Sequence, residues 1–290
     1  MVPEVFQAHD NYVLGLRFTA SGHRLVSAGM DNVVKVWSVP DWELEAVFAG
    51  HANSVNSISL SPDEQVLATG STDATVRLWS FPAGEVLHTL QDRKKTVAAV
   101  QVSPDGQWVA AGSYGGRVAL WTLAGELVLG LKASQKNLSS VAISPDAKTL
   151  ATAGLGDEIG LWSLPDGKLL GTLAGHQTAI GSLTFLDEGR SLASLGYEQT
   201  IRFWDTATWQ EVRAVRSDTP GVRGMVFAPG EATVALSLEG KVQLWSVPEW
   251  ALQVELPVGT KVVSAMAFSA DGRWLAVGAA DRKIRVWQLA

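Results

Sequence analysis

Thr75-Val76-Arg77-Leu78-Trp79 has the two-residue period of a strand, and the chain repeats it with small changes. It returns as Val34-Lys35-Val36-Trp37, Val118-Ala119-Leu120-Trp121, Ile201-Arg202-Phe203-Trp204 and Ile284-Arg285-Val286-Trp287. Trp162 and Trp245 complete a series whose successive members stand 42, 42, 41, 42, 41 and 42 residues apart. A period of this size is one supersecondary unit copied seven times, and it decides the fold before any local reading begins.

The second unit shows the parts. Val55 to Leu60 alternates, Ser61-Pro62-Asp63-Glu64 turns, and Val66 to Gly70 runs as a second strand. Ser71-Thr72-Asp73-Ala74 turns again before the strand that ends at Trp79. Pro82-Ala83-Gly84 breaks the chain, and Val86 to Leu90 is a fourth strand. Proline presets φ at a turn corner and aspartate accepts from the turn backbone. The first turn recurs as Ser103-Pro104-Asp105-Gly106, Ser144-Pro145-Asp146-Ala147 and Ser269-Ala270-Asp271-Gly272. Helical periodicity is absent, so almost no helix is expected.

Such a small four-stranded sheet has apolar residues on both faces and needs a cover for each. Closed radial packing covers every face, which is the β-propeller solution. The expected fold is therefore all-β, a seven-bladed β-propeller of four-stranded antiparallel blades, read as a single domain over residues 1–290. The last unit stops soon after Trp287, while Val5-Phe6-Gln7-Ala8-His9 mirrors Val47-Phe48-Ala49-Gly50-His51. The N-terminal strand is expected to complete the C-terminal blade.

The bulk numbers bound the function. The chain has 290 residues, with 23 basic against 29 acidic side chains and a net charge of −6, which argues against a general nucleic-acid binder. It has no cysteine, so disulfides and thiolate metal sites are excluded. Residues 1–8 lack a signal-peptide pattern, and no stretch is long and apolar enough to span a bilayer. A monomeric, cytoplasmic protein is expected, without membrane contact.

The whole chain resembles the WD-repeat β-propellers. Gly50-His51 and Gly175-His176 match the family's Gly-His signature, Ala8-His9 nearly does, and Trp204-Asp205 matches its Trp-Asp signature. Elsewhere the residue after the tryptophan is Ser38, Ser80, Thr122, Ser163, Ser246 or Gln288. The resemblance implies a polar network inside a blade. It would join His9, Ser27, Asp31 and Trp37 in the first blade, and His51, Thr69, Asp73 and Trp79 in the second. In the fifth it would join His176, Ser194, Glu198 and Trp204. The other four blades lack the histidine and carry Ala111, Thr152, Ala235 and Val277 at the second-strand position. In three of those four the hydroxyl is lost together with the histidine. A half-satisfied buried network is worse than an apolar replacement, because the stranded group keeps its desolvation cost.

Chemistry is not expected. Three of the five histidines belong to these networks, His23 and His88 stand apart, and no pair has metal-ligand spacing. No nucleophile elbow, Asp-box turn or phosphate loop followed by a helix is present. No metal, no cofactor and no catalytic residue is therefore assigned.

Loops carry recognition on a rigid scaffold. The loops before each first strand, with the turns between second and third strands, hold Asn11, Tyr12, Met30, Asn53, Arg93, Lys94, Lys95, Tyr114, Lys136, Leu155, Tyr197 and Arg282. All three tyrosines of the chain fall there, and tyrosine, methionine and arginine are enriched at interfaces. Arg93-Lys94-Lys95 is a basic run in an acidic chain, suited to an acidic partner. Trp42, Trp209 and Trp250, each five residues after a blade tryptophan, are expected to cap their own blades or to form a second, aromatic surface. The expected function is a non-catalytic scaffold for a protein or peptide partner. The alternatives are a propeller enzyme and a self-assembly module.

Overall fold

The computed structural model describes residues 1–217 and 221–289. Ala290, the last residue of the expected domain, lies outside them. The chain is a β-propeller of seven four-stranded antiparallel sheets. Among the described residues the one helical segment is a 3-10 turn at Asp187–Gly189.

Blade 1 is built from Val13–Phe18, Arg24–Gly29, Val33–Ser38 and Leu44–Ala49, in that order across the sheet. Blades 2 to 6 repeat it, with third strands Val76–Ser80, Arg117–Thr122, Glu158–Ser163, Thr200–Asp205 and Lys241–Ser246. Blade 7 takes three strands from the C-terminal end, Val263–Phe268, Trp274–Ala279 and Lys283–Gln288. Its fourth is the N-terminal Glu4–Gln7, which pairs antiparallel with Lys283–Gln288.

The turns explain why the repeat is spelled as it is. Ser61 Oγ donates to Asp63 at 2.5 Å and accepts from the Val66 amide at 2.9 Å. The same pair of bonds recurs at Ser103, Ser144 and Ser269. One hydroxyl thus ties the tip of the first hairpin to the entry of the next strand. In blades 1 to 6 the register shifts by one residue just before the tryptophan, between third and fourth strands. Such a bulge strengthens the local twist.

The chain divides into two compact units. The first holds residues 1–58, 81–85 and, from its C-terminal part, 221–289. There Phe6 of the N-terminal strand lies 4.8 Å from the ring of Trp37 and 6.1 Å from that of Trp42. Trp42 also meets Phe18 at 6.5 Å and Trp274 at 5.5 Å, edge to face, which suits aromatic rings. Trp42 is therefore a core residue shared by blades 1 and 7, which corrects the reading that it caps its own blade. Trp250 does stay on its own blade, stacked on Trp245 at 5.5 Å. Neither Trp42, at 8% exposure, nor the half-buried Trp209 and Trp250 offers the exposed aromatic surface entertained above.

The second unit holds residues 59–80 and 86–217. Its first strands are tied across blades by side chains. Ser59 Oγ accepts from the Val102 amide at 3.0 Å, Gln101 Oε1 from Ile143 at 2.8 Å, and Ser140 Oγ from Leu183 at 3.1 Å.

Candidate functional site

Each blade tryptophan seeks a partner for its indole N–H, and the blades answer differently. In blade 1, Trp37 Nε1 donates to Ser27 Oγ at 2.8 Å, His9 Nε2 lies 2.8 Å from the same oxygen, and His9 Nδ1 lies 2.8 Å from Asp31. Blade 5 joins Trp204, Ser194, His176 and Glu198 in the same order, and Thr178 adds a bond to Glu198. In blade 2, Trp79 donates to Thr69 at 2.9 Å, Asp73 accepts from Thr75, and His51 is buried.

These networks shift protonation. Burial raises the Asp31 carboxyl, but hydrogen bonds from His9 and the Asp10 amide, with the charges of His9 and Lys35, leave it below the ordinary value. Burial likewise opposes ionisation of Glu198, and the bonds from Thr178 and His176 outweigh it. His176 is depressed, chiefly by burial, against the pull of Glu198. Their partners are internal to the blade, so these groups hold structure.

The remaining blades depart one by one. In blade 6, Gln243 takes over: its Oε1 accepts from Trp245 at 3.1 Å and its Nε2 reaches Glu255 at 2.7 Å. Gln243 is a substitute that the repeat comparison passed over. In blade 7, Val277 offers no hydroxyl, and the fully buried Trp287 Nε1 has no partner among the described residues.

Blade 4 departs furthest. Thr152 Oγ1 accepts from Trp162 Nε1 at 3.0 Å and donates to the Gly160 carbonyl at 3.3 Å. The amides of Ala133 and Ser134 both bond the Gly116 carbonyl, as those of Ala8 and His9 bond Arg282. Ser134 therefore stands where blade 1 has His9. Counting back from the tryptophan, Gly156 stands where blade 1 has Asp31, and Gly160 where it has Lys35. Three long polar side chains are thus replaced by small residues in one blade. The second and third strands also part early, with Thr152 and Gly160 as their last pair, whereas blade 5 continues to Leu195 and Ile201. The outcome is a cleft of about 370 Å³, floored by Thr152 and Trp162 and rimmed by Lys136, Asp157 and Glu158. Trp162 is half-buried, unlike Trp37, Trp79, Trp121, Trp204 and Trp287, which are buried.

The expected partner-binding residues divide between the units. In the second, Tyr114, Leu155 and Tyr197 each follow the second strand of their blade at the same place in the repeat. Each amide donates to the loop before the first strand of its own blade, at 2.9 Å from Thr96, Asn137 and Ala179 respectively. Their side chains are 45%, 49% and 45% exposed. Arg93, Lys94, Lys95 and Lys136 are exposed as well, and none forms an ion pair among the described residues. Asp92, next to this basic run, is held by Arg117 at 2.7 Å. In the first unit, Met30 N donates to Tyr12 O at 2.8 Å, both side chains are 40% exposed, and Arg282 sits in the matching turn of blade 7. Asn11 and Asn53 use their side-chain oxygens on the next amide, at 2.9 and 2.8 Å, so their carbonyls shape their own loops. Among the described residues no group of three or more potential metal ligands is assembled, and no helix is long and apolar enough to cross a membrane.

A family model described as WD domain, G-beta repeat matches residues 2–38, 42–80, 84–122, 167–205 and 253–288, more than half of the chain. The windows stop at 122 and resume at 167, passing over Trp162. Among curated relatives, Target of rapamycin complex subunit wat1 of Schizosaccharomyces pombe is 30% identical over 101 residues, 34% of this chain and 32% of that protein. Target of rapamycin complex subunit LST8-1 of Arabidopsis thaliana is 26% identical over 100 residues, 34% of this chain and 33% of that one. The uncharacterized WD repeat-containing protein sll1491 of Synechocystis sp. is 30% identical over 120 residues, 41% of this chain and 34% of that one. The chain thus spans about a third of the length of each.

Proposed function

Since the chain belongs to the WD domain, G-beta repeat family, we propose that it is a non-catalytic platform that binds a protein or peptide partner through its blade turns. One observation carries the reading. Tyr114, Leu155 and Tyr197 occupy one repeat position in three successive blades of one unit, and all three side chains are exposed while their backbones are pinned. A rigid backbone that holds two tyrosines and a leucine in solvent suits recognition, because little backbone entropy remains to be lost on binding. The exposed Arg93, Lys94 and Lys95 add a basic margin that favours an acidic partner segment. Two of the matched relatives are named as subunits of a complex, which supports the same reading.

The test is affinity capture from the source organism with the wild type and a Tyr114→Ala, Leu155→Ser, Tyr197→Ala variant. The variant should keep the wild-type melting temperature and lose its specific partners. Equal capture by both proteins would remove the turns as the binding surface. Reversal of charge at Arg93, Lys94 and Lys95 should weaken capture more at low salt than at high salt.

A further inference from the structure

The cleft of blade 4 has a built-in template for its ligand. In blade 1, Lys35 extends over the tryptophan, with its ammonium 6.0 Å from the ring centre of Trp37 and 2.7 Å from the Ala8 carbonyl. In blade 2, the Arg77 guanidinium lies 5.7 Å from the ring centre of Trp79. A cation over an indole is favourable, and more so as water is excluded. In blade 4 the corresponding residue is Gly160. The receiving residues remain: Trp162, and Ala133 at the place of Ala8, both lining the cleft.

Position 160 does not supply the cation. A Cβ there would meet Thr152 Oγ1 and Trp162 Nε1, both at 2.9 Å, and would press on the bond between them. A side chain reaching this place therefore enters through the mouth, where Ser134 and Gly156 replace the histidine and aspartate of blade 1. The mouth carries two carboxylates and two ammonium groups. Asp157 and Glu158 are exposed, and among the described residues neither carboxylate is held in a hydrogen bond or ion pair. Lys132 keeps its charge but has its ammonium on the Gly115 carbonyl at 2.5 Å, and Lys136 is exposed, so it is the two free carboxylates, not a net charge, that a guest cation meets. A cleft of about 370 Å³ lies in the range of ligand sites.

We propose that this cleft receives an arginine or lysine side chain of a partner polypeptide. The cation lies against Trp162, donates to the Ala133 carbonyl, and is drawn in by Asp157 and Glu158. The proposal rests on the recognition reading only for the source of the cation. The slot itself is tested without any partner.

The 290-residue protein is titrated with N-acetyl-arginine amide, with a Gly-Arg-Gly peptide, and with N-acetyl-norleucine amide as an uncharged control. Calorimetry and the Trp162 indole N–H resonance, assigned through Trp162→Phe, are the readouts. Both arginine probes should shift that resonance, and the control should not. Asp157→Asn with Glu158→Gln, at exposed positions, should weaken binding about tenfold, the loss of roughly 1.4 kcal/mol. Ser134→His with Gly156→Asp refills the cleft and should abolish binding; should that variant not fold, the carboxylate variant decides alone. An unmoved Trp162 resonance, or affinity unchanged in the carboxylate variant, overturns the slot. Binding of the amino-acid amide without the peptide overturns the polypeptide as its source. Arginine binding that survives in the Tyr114, Leu155 and Tyr197 variant while partner capture is lost separates this slot from the turns.

Discussion

A single hydroxyl carries two partners in blade 1. Ser27 Oγ accepts from Trp37 Nε1 and shares a proton with His9 Nε2, both at 2.8 Å and both buried. Ser27→Ala strands two groups at once, and should destabilise by about 2–4 kcal/mol at 1–3 kcal/mol per orphaned group with partial relaxation. Blade 7 offers the converse. Val277→Thr adds a hydroxyl where Thr69 and Thr152 already serve their tryptophans, facing the unpartnered Trp287 Nε1. It should stabilise by about 1 kcal/mol, one net hydrogen bond, although burying a hydroxyl ordinarily costs. Denaturant titration measures both, and a loss of stability in Val277→Thr would refute the geometry. Protonation gives a further check at this scale. Burial lowers the His176 pKa, so below about 6.5, its ordinary value, the unfolded chain takes up a proton that the folded chain resists. Stability from this group is complete above about pH 6.5 and is lost as pH falls through the depressed folded value. Asp31 and Glu198, also depressed, add a loss of the same sign at lower pH. The melting temperature of His176→Gln should therefore fall less steeply than that of the wild type between pH 7 and 5, and parallel curves would show that His176 does not titrate in this way.

At the scale of strands, Glu4–Gln7 covers the edge of Lys283–Gln288 and sets Phe6 against Trp37 and Trp42. Deletion of residues 1–7 bares that edge and uncovers two indoles. Loss of the half-buried Phe6 side chain alone is worth about 1–2 kcal/mol, and the lost strand pairing adds to it, so the truncated chain should melt below the full one in calorimetry, and an unchanged melting temperature would deny the pairing. This element was legible in the sequence because Val5 to His9 copies Val47 to His51. The repeat also revealed the number of blades and, in blades 1 and 5, which residues bond one another around the tryptophan, since a tryptophan, its hydroxyl partner and its histidine keep fixed spacing. It did not reveal which neighbour Trp42 meets, because a repeat specifies a unit and not the far side of its packing. The cleft of blade 4 is written in Ser134, Gly156 and Gly160, which carry no chemical signature of their own. The cleft comes from three residues that are jointly small. Gln243 escaped for a related reason: it replaces a partner from the third strand, at a position where the other blades carry nothing that bonds the indole.

Across the molecule the seven blades are alike in strands and unlike in what closes them. Networks of histidine, hydroxyl and carboxylate close blades 1 and 5, Gln243 closes blade 6, and Trp287 of blade 7 packs in an apolar cluster with no bond to its indole among the described residues. Blade 4 departs in backbone as well as side chain, and blade 6 closes its hairpin in another way, with Leu238 and Lys241 as its last pair. The hairpin tips of blades 1, 2, 3, 5 and 7 share a turn bond, from Asn32, Ala74, Gly116, Gln199 and Arg282, each with positive φ. Among the described residues no such bond forms at Asp157, and pairing ends at Thr152. Local opening follows the weakest set of contacts, and its free energy can lie far below that of global unfolding. Native-state hydrogen exchange should thus find the amides of residues 156–158, beyond the pinned Leu155, exchanging faster than those of residues 198–200, the same stretch of blade 5. Occupation of the cleft by the arginine probe should slow the first set and leave the second unchanged, because a ligand stabilises the state that binds it. Equal rates in the two hairpins would mean that blade 4 is as firmly closed as its neighbours, and that its cleft is not the yielding part of the fold.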